Sequence, residues 1–113
     1  MVKKERHRYI LFKLIKEGDF VLDSRDIINA VWTSIWKYFG LKEASRVGLW
    51  LLEINFLDGF GIVQCSHWTK EIVISALTLI TEISGNNILI SPIKTSGTIR
   101  GIKKVMELKL TKK

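Results

Sequence analysis

An α+β sandwich, ordered β-α-β-β-α-β with an added C-terminal helix, is the fold class this sequence predicts. Three features carry that expectation. Strand-like and helix-like segments alternate through one short chain, Asp58-Gly59 gives a hairpin signal between two strands, and the first strand is apolar on both of its faces. At 113 residues, 47% hydrophobic and 26% charged, residues 1–113 fit one globular domain.

Arg8 to Ile15 (RYILFKLI) is rich in β-formers, with Ile10/Phe12/Leu14 on one alternating set and Tyr9/Leu11 on the other. Such a segment is a central strand covered on both sides. Asp23-Ser24-Arg25-Asp26 then offers an N-cap with acids in the first turn. Ile27, Ile28, Val31, Trp32, Ile35, Trp36 and Phe39 keep the spacing of one helix face as far as Gly40, the natural stop. Leu41 to Arg46 reads as a polar connection. Leu49 to Leu57 reads as a strand whose set Trp50/Leu52/Ile54/Phe56 is wholly apolar, and Asp58-Gly59 turns it into a strand over Phe60 to Cys65.

A second helix starts near Ser66 or His67 and carries Trp68, Ile72, Val73, Ala76, Leu77, Ile80 and Ile83 down one face until Ser84-Gly85 closes it. Asn87 to Ile93 supplies a fourth strand, in which Pro92 suits an edge. Ser96-Gly97 turns into a last helix that Thr98 caps, with Ile99, Ile102, Val105 and Met106 on its apolar stripe. Met106/Leu108/Leu110 also fits strand alternation; the N-cap and turn decide for helix. The order is the split βαβ arrangement of ferredoxin-like and RNA-recognition-motif domains. Both crossover helices then lie on one side of a four-stranded antiparallel sheet. The other face needs a cover, either the C-terminal helix or another protein, because an apolar patch of that size is an aggregation hazard.

Charge is segregated. The net +7 divides into +3 over residues 1–8, +6 over residues 94–113 and −2 over the body between them. Clustered cations displace condensed counterions from a phosphate-rich partner, whereas solvated lysine tails mainly aid solubility; charge alone leaves those two about even. Ser96-Gly97-Thr98-Ile99-Arg100 is the most informative stretch. A turn into a helix start presents backbone N–H groups and the positive end of the helix dipole, and Arg100, Lys103 and Lys104 follow within about one turn. Phosphate is the expected ligand there, and Lys3, Lys4, Arg6 and Arg8 form a second candidate contact.

No catalytic constellation emerges. His7 lies in a basic stretch, His67 at a helix start beside Trp68 suits a structural role, and Cys65 ends a strand as a small core residue. The acids form no pair, no metal-ligand spacing is present, and Gly-rich phosphate fingerprints are missing. A single cysteine makes no internal disulfide and fits a reducing compartment. No apolar run approaches the roughly 18 residues of a membrane span, and no apolar stretch follows the charged N-terminus as in a signal peptide. No membrane association and a cytoplasmic location are expected. Trp32, Trp36, Trp50 and Trp68 fall on apolar stripes, which favours core or interface packing over base stacking, and Tyr9, Leu11, Trp32 and Trp36 are candidate anchors for a protein partner.

Several of these segments together resemble the archaeal ribonuclease P protein component 2 family: Arg8-Tyr9-Ile10-Leu11-Phe12, Gly61-Ile62-Val63-Gln64-Cys65, Ser75-Ala76-Leu77-Thr78-Leu79-Ile80, Gly85, and Ser96-Gly97-Thr98-Ile99-Arg100-Gly101. The similarity runs nearly the full chain; Lys16 to Gly48 matches in pattern alone. It implies an RNA-recognition-like α/β sandwich that binds the catalytic RNA of ribonuclease P, meets precursor tRNA within the complex and pairs with protein component 3 among other ribonuclease P proteins. It implies that the RNA hydrolyses the 5′ leader with bound magnesium ions, so that no catalytic residue and no cofactor are expected in this chain. Whether the chain also forms a self-dimer is left open. Two rivals stand beside it: a small-molecule-sensing or acylphosphatase-like domain, for which no Arg/Asn oxyanion site is found, and a protein-interaction module with solubilising tails.

Overall fold

The computed structural model describes residues 6–111. The chain runs β1 (His7–Lys16), α1 (Ser24–Arg46), β2 (Trp50–Asn55), β3 (Phe60–Ser66), a 3₁₀ turn (His67–Thr69), α2 (Lys70–Leu79), β4 (Glu82–Ile83), β5 (Asn86–Ser96) and α3 (Ile99–Thr111). The strands form one sheet in the order β2-β3-β1-β5-β4, with every pairing antiparallel. Among β1, β2, β3 and β5 this is the ferredoxin-like arrangement the sequence predicts. Beyond it, β4 adds a short fifth strand.

β1 is central because both of its faces are buried. Ile10, Phe12 and Leu14 join Val63, Cys65 and Ile90 in a core sealed by Ile27, Val31 and Ile35 of α1 and Val73, Ala76 and Leu77 of α2. The hydroxyl of buried Ser34 donates to the Ala76 carbonyl at 2.8 Å and ties the two helices together. On the opposite face Tyr9, Leu11, Phe60 and Ile62 pack beneath Ile102 and Met106 of α3. The C-terminal helix therefore covers the second face itself. Tyr9 and Leu11, expected as anchors for a partner, are buried by the chain's own helix and present no free surface.

Local chemistry explains most boundaries. Asp23 caps α1 in a box: its carboxylate accepts the Asp26 N–H, and the Asp26 carboxylate accepts the Asp23 N–H, each at 3.0 Å. Gly40 takes φ 89° and breaks the helix as expected, but helical turns resume after it, so Leu41 to Arg46 is helix rather than a plain connection. In β2 the expected alternation fails at Leu52. Leu51 opposes Val63 and Glu53 opposes Ile62, which leaves Leu52 as a bulge. Trp50 and Leu52 thus belong to one side, whereas Ile54 and Phe56 pack on the core beneath α1 and α2. Asp58-Gly59 does close the hairpin into β3: Asn55 accepts the Gly59 N–H on its carbonyl at 2.8 Å and the Asp58 N–H on its side chain at 3.1 Å.

Two further expectations change at the second half of the chain. α2 ends at Leu79 and Ile80 is extended, so the run to Ile83 is not helical. Ser84 (φ 53°) and Gly85 (φ 81°) form a two-residue hairpin turn between β4 and β5 rather than a helix stop. Ile80 and Ile83 are buried either way, which is why their three-residue spacing imitated a helix face. Pro92 lies opposite Phe12 in β5, beyond the two residues that β4 pairs, so its missing N–H falls on the outer edge.

Candidate nucleic-acid interface

β1 and β5 pair with Tyr9 opposite Ser96, which sets the basic start of the first strand beside the turn that opens α3. Arg8 donates from Nη1 to the His7 carbonyl at 3.1 Å, and the same nitrogen stands 3.5 Å from where a Cβ on Gly97 would lie. Two stretches some ninety positions apart in sequence thus meet at one end of the sheet's strands. Lys3 and Lys4 lie outside the described residues.

The turn satisfies its own backbone. Ser96 Oγ accepts the Thr98 N–H at 3.2 Å, Thr98 Oγ1 accepts the Gly101 N–H at 3.0 Å, and the Thr98 carbonyl accepts the Ile102 N–H at 3.2 Å. The expected N-cap is therefore present. The expected open nest of donors is not, because side-chain hydroxyls already occupy two of them. Gly97 also lies outside the positive-φ region. The glycine that the turn needs is Gly101: a Cβ there would stand 2.7 Å from Ser96 Oγ and 2.8 Å from Thr98 Oγ1, so the capping hydroxyls fit only over a bare Cα. The positive charge at this place is carried by side chains. Arg100, Lys103 and Lys104 are all exposed. Arg100 and Lys104 are one turn apart on α3, while Lys103 lines a cleft with Glu53 and Glu107, acids that oppose its charge.

Sequence reasoning missed a second corner. The His67 N–H donates to the Arg6 carbonyl at 2.8 Å, so the start of β1 is stitched to the 3₁₀ turn after β3. Loss of hydration holds the His67 imidazole below its ordinary range, and the charges of Arg8, Arg6 and Lys70 push the same way. Trp68 beside it is 79% exposed. The expected apolar stripe of α2 is interrupted there, since residues 67–69 wind as a 3₁₀ turn that throws the indole outward. The sequence spacing put Trp68 on the stripe with Ile72, so no local signal marked it as exposed.

A third surface is apolar. Trp32 is partly buried against the core, Trp36 is 59% exposed, and with Ala44 and Leu49 they line a cleft of about 630 Å³. Trp50, 65% exposed, stands in the adjoining hollow with Trp32 and Leu49. Of the four tryptophans, then, three are mostly in solvent, so of the expected core or interface packing the core half fails for these three. Among the described residues no three His, Cys, Asp or Glu side chains gather as metal ligands, and no helix is long and apolar enough to cross a membrane. Cys65 is buried and its thiol is pushed up to about 11 by burial, against the lowering charges of Lys70 and Arg8, so it is no nucleophile at neutral pH.

A family model described as the Rpp14/Pop5 family matches residues 8–107, from the start of β1 well into α3. The chain belongs to the Rpp14/Pop5 family. Relatives named ribonuclease P protein component 2 include the following two. The one from Pyrococcus furiosus is 32% identical over 101 residues, covering 89% of this chain and 82% of that protein. The one from Methanothermobacter thermautotrophicus is 34% identical over 99 residues, covering 82% and 78%. Among solved structures, a chain in the cryo-electron-microscopy structure of yeast ribonuclease MRP superposes with a TM-score of 0.70 over 98% of this chain and 96% of that one; at 13% identity it speaks for the Rpp14/Pop5 fold alone.

Proposed function

We propose that the chain is a protein subunit of ribonuclease P, equivalent to component 2, that binds the catalytic RNA and supports removal of the 5′ leader from precursor tRNA. The observation that carries this is identity of about a third, over most of the chain, to proteins bearing that name. The meeting of Arg8 with the Ser96–Arg100 turn supports it, since one basic edge built from two distant stretches suits an extended phosphate backbone better than two separate tails do. In this role the RNA and its magnesium ions perform the hydrolysis in the cytoplasm, and the chain contributes neither a catalytic group nor a cofactor. Its contacts go to phosphate and RNA shape rather than to bases laid across the sheet, because α3 occupies that face.

The protein partner is component 3, seated on the cleft of Trp32 and Trp36, with other subunits meeting the RNA around it. An apolar, aromatic hollow on a chain of +7 suits a protein surface better than a nucleic acid. Filter binding to the cognate RNA at two salt concentrations tests the central role. Binding that weakens steeply as salt rises is expected; absent or salt-independent binding would leave a protein-interaction module. Precursor tRNA incubated with magnesium and RNA-free chain should stay intact, and its cleavage would refute the division of labour.

A further inference from the structure

We propose that the corner where β1 enters the sheet and β3 turns toward α2 is a contact for single-stranded RNA, with a base stacked on Trp68 and the adjoining phosphates on Arg6, Arg8 and Lys70. It rests on the RNA-subunit role above and adds a place and a mode of contact to it.

Trp68 is the most exposed tryptophan of the chain, yet its backbone is held firmly. The flanking Ser66 and Thr69 are buried, their hydroxyls are 2.7 Å apart, and Thr69 Oγ1 also reaches the Ser66 carbonyl at 3.2 Å and the Val47 carbonyl at 3.4 Å. The His67 ring braces the indole edge-on, with ring centres 5.2 Å apart and planes at 63°. A large aromatic on a rigid turn loses little entropy when a flat ligand covers it. Most of the ring lies in solvent, outside both hydrophobic clusters of the fold.

The surroundings choose the ligand. The Arg6 carbonyl takes the His67 N–H at 2.8 Å, Arg8 lies opposite Cys65 in the register, and Lys70 opens α2 two residues after Trp68, so the backbone brings three cationic residues to this corner. Glu71, 81% exposed, pairs loosely with Lys70 at 3.7 Å and is the opposing charge. An aromatic platform beside several cations is the arrangement that tracks a single strand, because every base has a face to stack and each link carries a phosphate. A duplex keeps its bases stacked inward and offers nothing for the indole. Among the described residues, no lysine or arginine lines the Trp36 cleft.

The test is equilibrium binding of the full chain and its Trp68→Ala and Trp68→Phe variants to a 12-nucleotide oligo(A) RNA and to an A·U duplex of equal length, over a series of salt concentrations. Trp68→Ala should weaken oligo(A) binding roughly 5- to 100-fold, leave the duplex unaffected and leave the salt slope unchanged, since no charge is lost. Trp68→Phe should recover most of the loss. Arg6→Ala with Arg8→Ala should instead flatten the slope by roughly 0.7 for each phosphate contact removed. Thermal unfolding of each variant confirms that an exposed position was changed without unfolding the chain. If Trp68→Ala binds oligo(A) and the cognate RNA as the parent does, the stacking site is wrong while the RNA-subunit role stands. If the parent chain binds neither RNA, both fall together.

Discussion

Nη1 of Arg8 stands 3.5 Å from the position a Cβ on Gly97 would take, so the first strand and the turn before the last helix present their charges as one surface. Neither stretch alone distinguishes a phosphate contact from a solvated tail. Their juxtaposition, fixed by the Tyr9–Ser96 register, is what joins them at one end of the strands.

On that surface Arg100→Ala with Lys104→Ala should weaken binding to the cognate RNA across sequences and flatten the salt slope by roughly 0.7 to 0.9 per lost contact. Lys103→Ala should contribute less, because Glu53 and Glu107 share its cleft. Stability should change by no more than about 0.5 kcal/mol, since all three side chains are exposed. A salt-dependent binding series with thermal melts reads both effects; equal effects at the three positions would count against the geometry.

The turn itself separates two glycines. Gly101→Val drives a branched side chain against the Ser96 and Thr98 hydroxyls and should cost about 1 kcal/mol through loss of the cap, a fall of about 4 °C in Tm. Gly97→Ala meets only an ordinary contact with Arg8 in an unstrained backbone and should melt with the parent.

In the core, the ring of Phe12 occupies the place of a side chain on Gly61, with ring carbons 2.8 and 3.0 Å from an added Cβ. Gly61→Ala should therefore destabilise by about 1 to 3 kcal/mol, as overpacking does. Chemical denaturation measures it, and a neutral result would mean that Phe12 has another rotamer available.

Trp36→Ala should leave the melting temperature of the isolated chain nearly unchanged, because the side chain is more exposed than buried. If component 3 is the partner proposed above, the change should weaken association with it by 10-fold or more, about 1.4 kcal/mol, on titration calorimetry. Unaltered association would move the interface elsewhere.

Cys65 gives a pH dependence. Its folded pKa of about 11 exceeds the ordinary 9.0, so the folded chain keeps its proton where the unfolded chain loses it. Stability from this group is full below pH 9 and declines as pH rises toward 11. Cys65→Ser unfolding curves over that range should be flatter than the parent's, and thiol reagents at pH 7.5 should label the parent only on denaturation.

The fold was legible where a residue's preference and its surroundings agreed. Asp23 with Asp26, Asp58-Gly59 and Thr98 are local chemistry, readable without neighbours, and each sets an element boundary where expected. The two-sided first strand also announced that the sheet is covered twice. What failed depended on distant partners. The Leu52 bulge follows from the register with Val63 and Ile62, and the end of α2 from pairing across Ser84-Gly85. The site was half legible for the same reason. Charge and the Thr98 cap pointed to the α3 turn, but the stitch from His67 to Arg6, which creates the Trp68 corner, joins residues sixty positions apart.

Reconstitution of precursor tRNA cleavage tests the central claim most directly. With the cognate RNA, magnesium and the remaining protein subunits held constant, adding this chain should raise the rate of 5′-leader removal at low magnesium, and the Arg8→Ala, Arg100→Ala, Lys104→Ala triple variant should restore less of it. A rate that is the same with and without the chain would contradict the assignment.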